Sequence, residues 1–177
     1  DRLTVVSGRP RPAGWTGKLW ALAQGIERAG ETDYLWLTDA DIGHAPNNLR
    51  RLVARSEAEG LMLHSLMVRL RCDTVAEQAL IPAFVLFFQM LYPFRRVNRP
   101  ASKLGAAAGG CMLVSAPGLT QAGGIGRIAD ALIDDCALGA AMKQQGPIRL
   151  ALTKQAESLR SYGGWSGISA MIARSAY

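Results

Sequence analysis

The sequence predicts an α/β domain. Short apolar runs of strand character alternate with segments of helical periodicity, and Gly or Pro stands at most of the junctions. At 177 residues the chain has room for one domain with a proper core. Leu3–Ser7 (LTVVS) reads as a first short strand, ended by Gly8 and the loop GRPRPAGW. Leu19, Leu22, Ala23 and Ile26 then fall at helical spacing, with Gly30 as the stop. Tyr34–Thr38 (YLWLT) is a strand, and Asp39-Ala40-Asp41 sits at its end. Pro46 suits a first helical position, and Leu49, Leu52 and Val53 carry that helix to Gly60. Leu61–Leu70 reads as an apolar strand. Gly109-Gly110 introduces another at Cys111–Ser115, and a Gly-rich loop covers 121–127. A helix from Asp134 turns Leu138, Ala141 and Met142 inward and ends at Gly146-Pro147. Ile148–Thr153 is the last strand.

Composition narrows the partners. Hydrophobic residues make up 49% and charged residues 19%, which is too apolar for disorder and poor in charge for an ordinary soluble chain. Cys72, Cys111 and Cys136 form no CxxC pair, so a disulfide framework is excluded, and two His leave little for a zinc site. The net charge of +6 is dispersed and no nucleic-acid-binding motif accompanies it, so no nucleic acid partner is expected. The longest uncharged run is Gln78–Phe94, QALIPAFVLFFQMLYPF, interrupted by Pro82 and Pro93 and followed by Arg95, Arg96, Arg99 and Lys103. As a helix it is about 25 Å long, short of the roughly 30 Å hydrocarbon core. An apolar block with a basic flank suits the interface of an anionic membrane, and 78–103 is expected to lie there. A buried core helix with a solvated basic loop is the competing reading. The chain opens at Asp1 just before a strand-like run and closes at Tyr177 inside a helix-like one, as expected of a piece of a longer protein.

Asp39 and Asp41 are the sharpest chemical signal. Carboxylates at i and i+2 of an extended segment point the same way, just past a strand end where open α/β sheets place ligands. Such a pair repels itself unless a cation binds. Mg²⁺ or Mn²⁺ typically takes one or two carboxylates and completes its shell with phosphate oxygens and water. An acidic turn near a helix start is the plainer alternative. Asp134 and Asp135 open a helix, where acids also complement the dipole, and either suits a general base. Gly17-Lys18 at a helix start is placed for phosphate but is no P-loop, since Leu19 stands where Ser or Thr is needed. Gly124-Ile-Gly126-Arg-Ile-Ala129 fits GxGxxA without a strand leading into it, and Gly164-Trp-Ser166-Gly167 falls short of GxSxG. His44, close to Asp41, reads as a polar loop residue or a support for a metal shell, and His64 as a core histidine.

The order GWTGKLWAL, YLWLTDADI, GGCMLV, DDCALGAAMKQQG resembles a family 2 inverting glycosyltransferase of the GT-A fold. TDADIGHAPNNL and LIPAFVLFFQMLYPF resemble most closely the membrane-bound hopanoid-biosynthesis-associated glycosyltransferases. The resemblance implies a GT-A-like domain with a mixed sheet, spanning 1–177 and lacking its first βαβ unit. It implies further that 155–177 leads to absent membrane helices, and that the piece alone is inactive and binds UDP weakly. It implies that Asp39 and Asp41 bind the metal and nucleotide diphosphate, with Lys18 beside the donor and Asp135 as catalytic base next to Asp134. Gly109, Gly110 and Cys111 would lie on the acceptor side. Arg160 and Trp165 correspond to a donor lid, although Arg160-Ser-Tyr-Gly-Gly-Trp165 has two extra spacings relative to the family motif. The implied activity is inverting transfer from a nucleotide sugar, such as a UDP-sugar, to a lipid hydroxyl in hopanoid or glycolipid synthesis. It would take place on the cytoplasmic face of the inner membrane. A non-catalytic nucleotide- or lipid-binding module of the same fold is the alternative.

Overall fold

The computed structural model describes residues 3–175. Five strands among them form one sheet: β1 (Tyr34–Thr38), β2 (Ile42–His44), β3 (Leu63–Arg69), β4 (Cys111–Ser115) and β5 (Ile148–Ser158). Their spatial order is β1-β4-β3-β5-β2, with β3 and β5 parallel and the other neighbours antiparallel. The α/β expectation therefore holds, and the sheet is mixed. β3 is central and buried from Leu63 to Val68, which explains its unbroken apolar run. Alternation along β4 sends Met112 and Val114 into the main core and Cys111 and Leu113 into a second cluster on the opposite face.

The helices follow local chemistry. In α1 (Gly17–Ala29) the Thr16 side chain accepts the Leu19 N–H at 3.3 Å, and Gly30 closes the helix at φ 68°. Gly60, in the left-handed conformation, ends α2 (Asn48–Glu59). Thr74 and Glu77 form a reciprocal capping box at the start of α3 (Val75–Leu91). A short α4 (Phe94–Val97) follows Pro93. Asn98 then exchanges two hydrogen bonds with Leu150 of β5, at 2.9 and 2.7 Å. Next come α5 (Ala116–Gln121), a 3-10 turn (Ile125–Ile128), α6 (Asp134–Lys143) and α7 (Trp165–Ser175).

Four expectations are corrected. Leu3–Ser7 forms no strand: Leu3 and Val5 are 79% and 86% exposed, and β propensity without a neighbouring strand does not order a segment. Pro82 does not interrupt its helix. It lies on the exposed side of α3, while Ile81 is buried against Ile168 of α7 and holds the helix in register. The segment Ile42–His44 is a strand rather than loop, because β5 runs on past Thr153 to Ser158 and pairs with it. The 121–127 loop is shorter than expected: Gln121 ends α5, 122–124 form the turn, and a 3-10 turn begins at Ile125. The stretch Val75–Val97, 23 residues spanning α3 and α4, contains an 18-residue window of mean hydropathy 1.5 and is long and apolar enough to cross a membrane by length and composition. That is longer than the 78–94 block suggests.

One close crossing fixes α6 over the site. A Cβ on Gly139 would lie 2.4 Å from the Ala106 carbonyl carbon, and one on Gly105 would lie 2.5 Å from the Gly139 carbonyl oxygen. Gly139→Ala is therefore expected to lower stability by about 2 kcal/mol in urea unfolding. An unchanged midpoint would mean that the crossing is looser than this.

Candidate functional site

The loop after β1, the segment leading into β4 and the first turn of α6 converge on a cavity of about 520 Å³. Its lining includes Lys18, Asp39, Asp41, Gly109, Gly110, Asp134, Asp135 and Arg160, so eight of the ten site residues expected from sequence meet in one place. Cys111 and Trp165 are not among the lining residues. Cys111 is buried on the other face of the sheet, where Asn48 Nδ2 approaches its sulfur at 3.7 Å. Trp165, the first residue of α7, is 57% exposed.

Charge organises the polar part of the lining. Lys18 Nζ lies 3.3 Å from Asp39 Oδ1 and 3.0 Å from Asp134 Oδ2, joining α1, the end of β1 and the start of α6. Burial alone would lower the Lys18 pKa, but the carboxylates of Asp134 and Asp39 outweigh it and hold the ammonium above its ordinary value. Asp135 is held by backbone: Oδ2 accepts the Gly109 N–H and Oδ1 the Cys136 N–H, each at 2.8 Å. Burial, with Asp134 beside it, pushes its carboxyl above the ordinary value despite those donors. A carboxylate made more basic in this way suits proton removal. A Cβ on Gly109 would come 3.3 Å from Asp135 Oδ2 and 3.4 Å from Lys18 Nζ, so a bare backbone is what lets both groups close on it.

His44 is not free for a metal. Its Nε2 lies 2.8 Å from the Thr38 hydroxyl, and Asn48 Nδ2 lies 3.1 Å from its Nδ1. The Thr38 hydroxyl in turn donates to the Gly110 carbonyl at 3.0 Å. This network assigns a neutral ring with the proton on Nε2, consistent with burial lowering its pKa. His64 is buried on β3 with Nδ1 3.5 Å from the Leu52 carbonyl, as a core histidine. Asp39 and Asp41 both face the cavity, and two carboxylates suit a Mg²⁺-type ion that takes its remaining ligands from phosphate and water. Among the described residues no group of three or more His, Cys, Asp or Glu could hold a metal on its own. Any such ion would therefore be held weakly until the ligands of a bound diphosphate complete its shell.

Much of the remaining lining is apolar. Met67, Val68 and Leu70 from β3 and its extension, Phe84 and Phe88 from α3, and Met171 from α7 line it. Sequence reasoning noted the apolar run but not this wall. The signal was present in the i, i+4 spacing of Phe84 and Phe88, which faces the cavity while Leu86 and Met90 stay 60% and 69% exposed. Arg160 reaches the cavity from the segment between β5 and α7, its guanidinium 5.9 Å from the Tyr162 ring centroid.

The sequence model of glycosyl transferase family 21 matches residues 2–174. No curated protein matches the chain. Among solved structures the chain is similar to the glucosyl-3-phosphoglycerate synthase of Mycobacterium tuberculosis, solved in complex with phosphoglyceric acid, at 19% identity and a TM-score of 0.50. That match covers 97% of this chain and 54% of the other, so this chain spans about half the length of the structure it resembles. The shared part is a GT-A-like glycosyltransferase fold with a mixed sheet, as expected from sequence.

The raised Asp135 carboxyl has a consequence for stability. The folded chain keeps this proton to higher pH than the unfolded chain, whose value is near 3.8, so stability is lost as pH rises through the folded pKa. Asp135→Asn removes that loss. Relative to wild type, the variant should be more stable at about pH 7 than at about pH 4 in thermal melts. A stability difference independent of pH would contradict the assignment.

Proposed function

Because the chain belongs to glycosyl transferase family 21, we propose that its parent protein transfers a sugar from a nucleotide sugar, such as a UDP-sugar, to the hydroxyl of a lipid. The observation that carries this is the mixed lining of the cavity. Lys18, Asp39 and Asp134 form one linked charged cluster, Asp41, Asp135 and Arg160 line the same space, and Phe84, Phe88 and Met171 give it an apolar wall. A soluble sugar or phosphate acceptor would have little use for two phenylalanines and a methionine. A lipid alcohol would bury its chain there and present its hydroxyl to the carboxylates. A hopanoid or glycolipid precursor belongs to this class, and the family resemblance favours it.

In this reading Lys18 and Arg160 receive the donor diphosphate at the α1 N-terminus, where helix-end N–H groups also favour phosphate. Asp39 and Asp41 would hold Mg²⁺ or Mn²⁺, which when bound stabilises charge on the leaving diphosphate. Asp135, fixed by the Gly109 and Cys136 N–H groups, takes the proton of the acceptor hydroxyl. The hydroxyl oxygen then attacks the anomeric carbon from the side opposite the diphosphate. The new C–O bond forms as the bond to the diphosphate breaks, and the configuration inverts. Asp134, paired with Lys18, positions that cation rather than accepting the proton.

The outer face of α3 supports a membrane location. Leu86, Phe87, Met90 and Leu91 are exposed in one patch, followed by the exposed Arg95, Arg96 and Arg99. A membrane-seated domain, with its donor site open to the cytoplasm, would receive a lipid without extracting it fully.

Asp135→Asn in the full-length parent is expected to lower sugar transfer by about 10²- to 10⁴-fold with donor binding retained, read as product formed from labelled UDP-sugar. Transfer near the wild-type rate would remove Asp135 as the base. Phe84→Asp is expected to raise the KM for a long-chain acceptor by about tenfold while leaving that for the donor unchanged.

A further inference from the structure

Lys18 lines two spaces. The main cavity of about 520 Å³ and a second of about 250 Å³, the latter walled by Leu19, Leu22, Ile125 and Ile128, share Lys18, Asp39, Gly109 and Asp134 in their linings. Among these shared residues the Lys18 ammonium bridges Asp39 at 3.3 Å and Asp134 at 3.0 Å. Lys18 thus occupies the very carboxylate, Asp39, that the donor reading assigns to the cation. Asp41, the other carboxylate of that pair, has no hydrogen bond or ion pair from its side chain among the described residues. Arg160, the other cation on the cavity wall, forms no ion pair there and lies by the Tyr162 ring instead.

We propose that Lys18 is an exchangeable counter-ion, holding the place of the divalent cation at Asp39 until cation and diphosphate arrive together. The inference rests on the donor reading above. A cation arriving alone must break the Lys18 bridge to Asp39 and leave the ammonium paired with Asp134 alone, close to a new divalent charge. When diphosphate accompanies it, the released ammonium passes to a phosphate oxygen, and Asp39 passes to the cation. The bridges are half-exposed, so each is weak enough to exchange and strong enough to bias binding. Cation and nucleotide are then coupled through one side chain, and each raises the affinity of the other.

The test is Mn²⁺ binding to the full-length protein, followed by the loss of the free-ion paramagnetic resonance signal, with and without UDP and with no turnover required. Lys18→Met is expected to tighten Mn²⁺ binding in the absence of UDP by about tenfold. It should also reduce the further tightening that UDP produces in wild type. Lys18→Arg, which keeps the charge and the reach, should stay near wild type. Arg160→Gln, which removes a cavity charge outside the bridge, should change Mn²⁺ affinity in the absence of UDP by less than about threefold. Asp39→Asn should abolish binding. If Asp39→Asn abolishes binding but Lys18→Met leaves it unchanged, the exchange is wrong and the donor reading stands. Equal tightening by Lys18→Met and Arg160→Gln would reduce the effect to general charge and overturn the exchange. If wild type binds no Mn²⁺ even with UDP, the donor reading fails and the exchange falls with it.

Discussion

Four carboxylates around one cavity repel one another, and the site is built around that constraint. Asp39, Asp41, Asp134 and Asp135 face the same space, and among the described residues only Lys18 and Arg160 are cations on its wall. No ordinary fold gathers such charge without compensation. Here it comes in two forms. Lys18 pairs two of the carboxylates, backbone N–H groups hold a third, and the fourth, Asp41, faces the cavity. The half-exposed Lys18 bridges add little to stability. Their value lies in placing three elements, α1, β1 and α6, at one point.

The rest of the architecture serves that convergence. β4 sits between β1 and β3, so the Gly109-Gly110 step that leads into it arrives beside the end of β1. The Ser65 hydroxyl on β3 exchanges hydrogen bonds with Ala108, at 2.8 and 3.0 Å, and pins that step from behind. α6 crosses the same segment at the Gly105–Gly139 contact, which sets the height of Asp134 and Asp135 above the sheet. Across the cavity, α3 and α7 pack on each other through Ala76, Ile81 and Ile168 and contribute the apolar wall. A charged carboxylate cluster and an apolar wall thus come from two separately packed parts of one chain.

Much of the site was legible in the sequence because its signals are local. Asp39-Ala40-Asp41 follows an apolar strand, Asp134-Asp135 opens a helix, and Gly17-Lys18 starts one. Period-2 and period-3.6 patterns with their caps locate each of these without knowledge of the fold. What sequence could not supply was long-range. The three-residue β2 exists only because β5 extends to pair with it, and LTVVS has strand character but no partner. Pro82 stays helical because the opposite face of α3 is buried on α7. Cys111 and Gly110 are adjacent in sequence, yet strand alternation leaves one on the cavity and the other behind the sheet. The resemblance to glycosyltransferases rested on motif order, and it agrees with membership of family 21 where family 2 had been expected.

The central claim is that one cavity receives both a donor diphosphate and the hydrocarbon of an acceptor. The most direct measurement is photo-crosslinking of the full-length protein with a long-chain alcohol carrying a diazirine, in the presence of UDP and Mn²⁺, mapped by mass spectrometry. The account predicts label on Phe84, Phe88 and Met171, the residues of the inner wall. Label confined to Leu86, Phe87 and Met90 on the outer face of α3, with none on the inner wall, would contradict it.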